Sequence, residues 1–167
     1  IKQNEPEIFN KIYKILLPKD FLRFKLTNSF FTEMSDASGT LWLNVKKRKW
    51  SENLLALNDL TKSHMPELVE GNEQTSFLST EIKNDFNFQK NIIFAGGAGD
   101  QAAGAIGSGV IEPKQSMISL GTSGVYFSPT SNYSSNTNQA VHSFCHCLPN
   151  TWHHMSVMLS ATNCVNW

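Results

Sequence analysis

Asp100 stands alone among small residues, in Ile92-Ile-Phe-Ala-Gly-Gly-Ala-Gly-Asp100-Gln-Ala-Ala-Gly-Ala-Ile-Gly107. A short apolar strand runs into a glycine turn, and the acid falls where a helix should begin. A carboxylate is favoured there by the helix dipole. Glycines before it and alanines behind it leave room for a substrate. An ionised, positioned aspartate can orient a hydroxyl and accept its proton as the oxygen attacks. Composition and spacing alone favour the plainer reading, Asp100 as a helix cap. Further on, Ser119-Leu-Gly-Thr-Ser-Gly124 ends a strand in glycines and hydroxyls. The backbone N–H groups and hydroxyls of Gly121, Thr122, Ser123 and Gly124 can cradle phosphate oxygens. They can also simply turn a hairpin. A base and a phosphate cradle in one chain point to group transfer.

Other constellations carry less. Gly97-Ala-Gly-Asp-Gln-Ala102 fits G-x-G-x-x-A, but a dinucleotide's pyrophosphate would meet the charge of Asp100 at the helix start. No strand-end acid follows about twenty residues on, where such a site needs one. The loop lacks the lysine of a Walker motif. His142-x-x-Cys145-His146-Cys147 and His153-His154 hold metal-binding residue types. On a strand, however, the two histidines of the first group face away from its two cysteines. The spacing also misses the usual zinc pairs, so these are read as structural strand residues and no metal site is expected. Asp36, in Ser35-Asp-Ala-Ser-Gly-Thr40, could cap a turn or reach a site, and the turn is the favoured reading. Lys46 to Lys49 is read as a solvated face.

These residues need positioning by about one domain or parts of two, given 167 residues. Lysine and arginine total 14, as do aspartate and glutamate, so no global field draws nucleic acid or an anionic membrane. Three clustered cysteines with no even-numbered framework fit a reduced, cytoplasmic protein. The chain opens at Ile1 without methionine and stops at Trp167, which reads as a fragment of something longer.

Ile8, Ile12, Ile15 and Leu16 have helical spacing and predict a helix over 5–17. Pro18 breaks it and starts a second helix through Leu26, which Asn28 ends in a left-handed cap. Residues 35–40 are expected as a loop, 41–45 as extended, and 66–71 as a connection. Ser51 caps a helix bearing Leu54, Leu55 and Leu57. A helix over 80–86 ends near Asn87. Strand 91–95 then leads through the turn into a helix from Asp100 to Ser108. Beyond Pro113, strands 116–120 and 125–127 form a hairpin, 128–140 is a polar loop, and 142–148 and 152–159 are extended. A helix is expected from Ala161. The texture changes from helices to hairpins near residues 108–113, the best domain boundary.

Together these segments resemble the FGGY carbohydrate kinases, most closely their xylulokinase branch. Leu16-Leu-Pro-Lys-Asp20 with Leu26-Thr27, Ser35-Asp-Ala-Ser-Gly-Thr-Leu-Trp42, Ala95 to Gly104 and Ser119 to Phe127 are similar to family blocks. Val141-His-Ser-Phe-Cys-His146 and Trp152-His-His-Met-Ser-Val-Met-Leu-Ser160 look like the xylulose branch. The resemblance implies an α/β, actin-like ATPase (ribonuclease H-like) fold. Residues 1–108 would end a sugar-binding domain and 109–167 would begin a nucleotide-binding domain. It implies that Asp100 is the base, that Gln101 beside it contacts the sugar, and that Gly121-Thr-Ser-Gly124 binds nucleotide phosphates. The implied substrates are D-xylulose and ATP, with Mg²⁺ carried on the nucleotide, and a homodimer is the candidate assembly. Asn28 and Asn87 stand where the family often has glycine. The family's first phosphate loop and its adenine segment would lie outside this chain, so the isolated piece is expected to be inactive. A kinase for another sugar or polyol, or a silent sugar-binding protein on the same fold, remains open at this point.

Overall fold

The computed structural model describes residues 1–162 and 164. The periodic segment at the start forms only one helical turn, α1 (Pro6–Phe9). The expected helix over 5–17 is overridden by tertiary contacts. Lys14 Nζ donates to Ser63 O and Met65 O, and Ile15 N donates to His64 O at 2.8 Å, which holds this stretch extended. Pro18 does start a helix, α2 (Pro18–Thr27), and Asn28 ends it at φ 57°. Asparagine tolerates this left-handed cap better than most residues.

Strand β1 (Phe31–Glu33) leads into helix α3 (Met34–Ser38), where a loop was expected. The cause is a buried N-cap: Glu33 accepts from the amides of Ser35 and Asp36 at 2.7 and 2.8 Å. Strands β2 (Leu43–Asn44) and β3 (Lys49–Trp50) form a small hairpin. Its turn corrects the reading of the basic run as wholly solvated. Arg48 takes φ 51° and turns inward onto Glu70, with Nε to Oε1 at 3.1 Å. Ser51 caps α4 (Glu52–Ala56) as expected.

The supposed connection after Pro66 contains β4 (Glu67–Val69), which pairs in parallel with β1. Strand β5 (Gln74–Phe77) pairs antiparallel with β6 (Ile93–Ala95), and α5 (Thr80–Asp85) lies between them in sequence. Helix α6 (Asp100–Gly107) begins at the expected residue. Four antiparallel strands follow: β7 (Met117–Leu120), β8 (Gly124–Thr130), β9 (His142–Cys145) and β10 (Trp152–Met158), in spatial order β7-β8-β10-β9. The expected helix from Ala161 falls largely outside the described residues.

Two apolar clusters knit the first part. Leu55, Leu60 and Met65 pack with Ile15, Trp42 and Trp50. Met34, Ala37, Leu43 and Cys145 pack with Trp50 and Trp152, so the second cluster joins α3 to the sheet. Among the described residues no helix is long and apolar enough to cross a membrane.

Candidate active site

The turn before Asp100 is built on close backbone approach. Gly96 N donates to Glu73 O and Gly97 N to Gly71 O, at 2.9 and 2.8 Å. A Cβ on Gly96 would collide with the Glu70 carbonyl, and Gly97 takes φ 82°. Only glycine adopts that conformation without strain. Arg23 reaches across from α2 to donate to Gly96 O and, at 3.0 Å, to Phe31 O. The turn is therefore clamped between a buried guanidinium and the loop after β4.

Helix α6 then starts with Gly99 as N-cap and Asp100 in its first turn. The Asp100 carboxylate is exposed and accepts from Gln101 N at 2.8 Å and from Gln101 Nε2 at 3.3 Å. The glutamine thus orients the acid as well as flanking it. Asp100, Gln101 and Ala102 line a concavity of about 110 Å³. Ser35, Asp36 and Gly39 of the α3 segment form a second wall, and Phe144, His153 and Met155 of the sheet form a third. The floor mixes two carboxylates with aromatic and thioether surface, a lining suited to a small polyol with apolar C–H faces.

Asp36 belongs to this site, which corrects its reading as a turn residue. Its Oδ2 lies 3.6 Å from Lys19 Nζ, which also stands 3.4 Å from Asp20 Oδ1 and 3.5 Å from Glu33 Oε1. One ammonium thus serves three carboxylates. Burial pushes the Asp36 carboxyl above the usual range; Lys19 opposes this, and the negative charges of Asp20 and Asp100 add to it. Glu33 is also raised, chiefly by burial, against the pull of Lys19 and the hydrogen bonds from Ser35 and Asp36.

His153 lines the cleft from β10 and is held neutral, its pKa pushed down to about 3 by burial and then by His146 and His154. Its ring stacks on Phe127 with centroids 4.2 Å apart. His146 is fully buried, Cys145 and Cys147 are buried, and His142 is exposed, so the histidine–cysteine run is divided between core and surface. Among the described residues no group of three His, Cys, Asp or Glu side chains is placed to hold a metal ion.

Gly121, Thr122 and Ser123 connect β7 to β8, Gly124 opens β8, and none of the four lines this cleft. Gly124 pairs with Met158, three residues along β10 from the cleft residue Met155. At a strand's rise, that offset is about 10 Å. Gly121 to Ser123 are exposed. The loop is pinned from behind: Ala161 N donates to Thr122 O, Thr162 N and Oγ1 donate to Gly121 O, and Ser123 Oγ donates to Leu159 O. Within the loop Gly121 N donates to Ser123 O at 2.8 Å, so its free donors among these residues are the Thr122 and Ser123 amides and the Thr122 hydroxyl.

Lys19, Glu33 and Ser35 escaped the sequence reading as site residues. Glutamate is not a favoured N-cap, so Glu33 before Met-Ser-Asp gave no helix signal. The lysine and the serine acquire their roles only when α2, α3 and α6 meet.

Residues 1–107 match the model of the FGGY family of carbohydrate kinases, N-terminal domain. The chain is 50% identical over its whole length to a xylulose kinase of Escherichia coli (strain K12), and 46% identical to one of Klebsiella pneumoniae. It spans 34% of each. Among solved structures it superposes on a xyloylose kinase from Brucella ovis, with TM-score 0.96 and 46% identity over 99% of this chain and 34% of that one. Plasmodium falciparum glycerol kinase with ADP superposes with TM-score 0.85 over 99% of this chain and 34% of that one, and at 23% identity shares the fold alone. The glycine turn, the acid at the head of α6 and the hairpin after it are therefore parts of a known architecture, the actin-like ATPase fold, and the chain belongs to the FGGY family of carbohydrate kinases, similar to its xylulokinases.

Proposed function

We propose that this chain supplies the base and part of the acceptor cleft of an ATP-dependent kinase that phosphorylates D-xylulose at its 5-hydroxyl. One observation carries the reading: Asp100 lines, from the first turn of α6, a cleft walled by the α3 segment and the sheet, and Gln101 orients it. In that geometry Asp100 accepts the proton of the attacking hydroxyl as the O–P bond forms and ADP leaves. Gln101 steadies the carboxylate and contacts the sugar. Gly121, Thr122, Ser123 and Gly124 hold phosphate oxygens of the nucleotide, and Mg²⁺ arrives with it, neutralising charge on the phosphates. Phosphoryl transfer of this kind asks the protein mainly for positioning and electrostatics. The identity of 50% and 46% to xylulose kinases supports xylulose over another sugar or polyol. We assign residues 1–108 to the sugar-binding domain and 109–167 to the nucleotide-binding one.

The test is Asp100→Asn in the intact kinase that carries this chain. General-base loss should lower kcat by ~10²–10⁴-fold, while ATP affinity by calorimetry stays within a few-fold. Wild-type turnover in that variant would remove Asp100 from the mechanism.

A further inference from the structure

Helix α6 has no side-chain cap of its own, because its N-cap is Gly99. The Gly99 N–H is nonetheless satisfied: it donates to Ser35 Oγ at 2.9 Å, across 64 residues of chain. The Ser35 hydroxyl in turn donates its hydrogen bond to Glu33, at 2.8 Å from Oε2 and 3.0 Å from Oε1. Glu33 is fully buried and also takes the amides of Ser35 and Asp36. Burying a carboxylate is costly unless its lone pairs are filled, and here three donors of α3 fill them, with Lys19 Nζ at 3.5 Å. The result is a relay, Glu33 to Ser35 to Gly99, whose last member immediately precedes Asp100.

Resting on the reading of Asp100 as base, we propose that Ser35 is a positioning residue that fixes the first turn of α6, and so the Asp100 carboxylate, to the buried Glu33 anchor. Two features separate this from ordinary packing. The bond joins the start of one helix to the start of another, so it sets the rotation of α6 about its own axis at the point where Asp100 leaves it. The two starts also lie in ordinary contact, since a Cβ on Gly99 would be 3.6 Å from Asp36 Cα. Releasing the Gly99 amide lets the turn shift without emptying a core. Small misplacements of a reacting group weaken catalysis far more than substrate binding when the group acts chiefly in the transition state.

The experiment uses the intact kinase with Ser35→Ala and Ser35→Thr. Ser35→Ala should lower kcat by ~10-fold with sugar KM changed by less than ~3-fold. Amide exchange at residues 99–101 should accelerate, while exchange in α4 stays as in wild type. Ser35→Thr keeps the hydroxyl and should restore both kcat and protection. If the alanine variant is too unstable to purify, Ser35→Cys, a weaker acceptor of similar volume, should still raise exchange at 99–101. Unchanged kcat and unchanged exchange overturn the proposal. So does a fall in kcat accompanied by faster exchange throughout the molecule and no recovery in the threonine variant. Asp100→Asn run beside these keeps the two ideas apart. An active Asp100→Asn enzyme removes the base, whereas a dead one with a wild-type Ser35→Ala removes only the relay.

Discussion

The two halves of the molecule bury titratable groups by opposite means. Around α2, β1 and α3, Asp20, Arg23 and Glu33 are buried as charges or charge partners, with Lys19 at the rim. Around β8, β9 and β10, His146 and His153 are buried neutral against Phe127, beside Cys145 and Cys147. The charged set spends its hydrogen bonds on the start of β1 and on the glycine turn: Phe31 O, Gly96 O and, through Ser35, Gly99 N. The neutral set lies among strands whose backbone is already paired by the β ladder. Strands hold themselves, while a glycine turn presenting a carboxylate must be held by side chains. The buried charges thus lie where the proposed site needs rigidity.

The most disruptive way to test that contrast is Arg23→Met. It leaves the buried Asp20 with Lys19 as its remaining cation and strips donors from Phe31 O and Gly96 O. Removing one partner of a buried charge set costs about 3–5 kcal/mol, to be read from urea unfolding of the intact protein. A loss below about 1 kcal/mol would mean that the charges fill space and anchor nothing.

The neutral set makes a pH prediction of definite sign. The pKa of His146 is pushed down to about 4 and that of His153 to about 3, both chiefly by burial, from an unfolded value of 6.5. Between 6.5 and those folded values the unfolded chain binds more protons than the native one, so stability falls as pH falls and is level above about 7. By pH 5 each histidine costs about 2 kcal/mol. Glu33 runs the other way, because its pKa is raised and its contribution declines as pH climbs above 4.5. Thermal melts from pH 7 to 5 should therefore drop, and His153→Phe should remove about half of the histidine-dependent drop. An unchanged pH slope in that variant would place the acid sensitivity elsewhere.

Legibility in the sequence divided along the same line. The glycine turn, the acid at the start of α6, the Ser51 cap and the hairpin around Gly121 to Gly124 were readable, because each rests on local chemistry: φ above zero, a dipole, a cap, alternation. Asn28 and Asn87 were readable for the same reason, at φ 57° and 56°. What was not readable is what three segments do together. The isoleucine period of residues 8–16 was genuine, yet the backbone of Ile15 bonds to His64 instead. Strand β4 offers only three residues, Glu67–Val69, and exists because β1 lies parallel to it. Asp36 looked like a turn residue until α6 was placed opposite. Arg48 looked solvated until Glu70 stood beneath it.

The smallest expected effect sits where the two halves meet. Ser38 Oγ, buried in α3, accepts the Cys145 amide at 3.0 Å and donates to Met34 O at 2.8 Å. The strand residue it satisfies packs in the same cluster as Met34 and Leu43. Ser38→Ala removes no charge and little volume, but it strands a buried N–H on β9. An unpaired buried donor costs about 1–3 kcal/mol, and the helix carbonyl that loses its second partner adds little, since it keeps its place in α3. The expected loss is about 1–2 kcal/mol in chemical unfolding, with a single transition preserved because the apolar seam of Met34, Ala37 and Trp152 remains. Two separated transitions in Ser38→Ala would show instead that this hydrogen bond, and not the seam, couples the charged half to the neutral one.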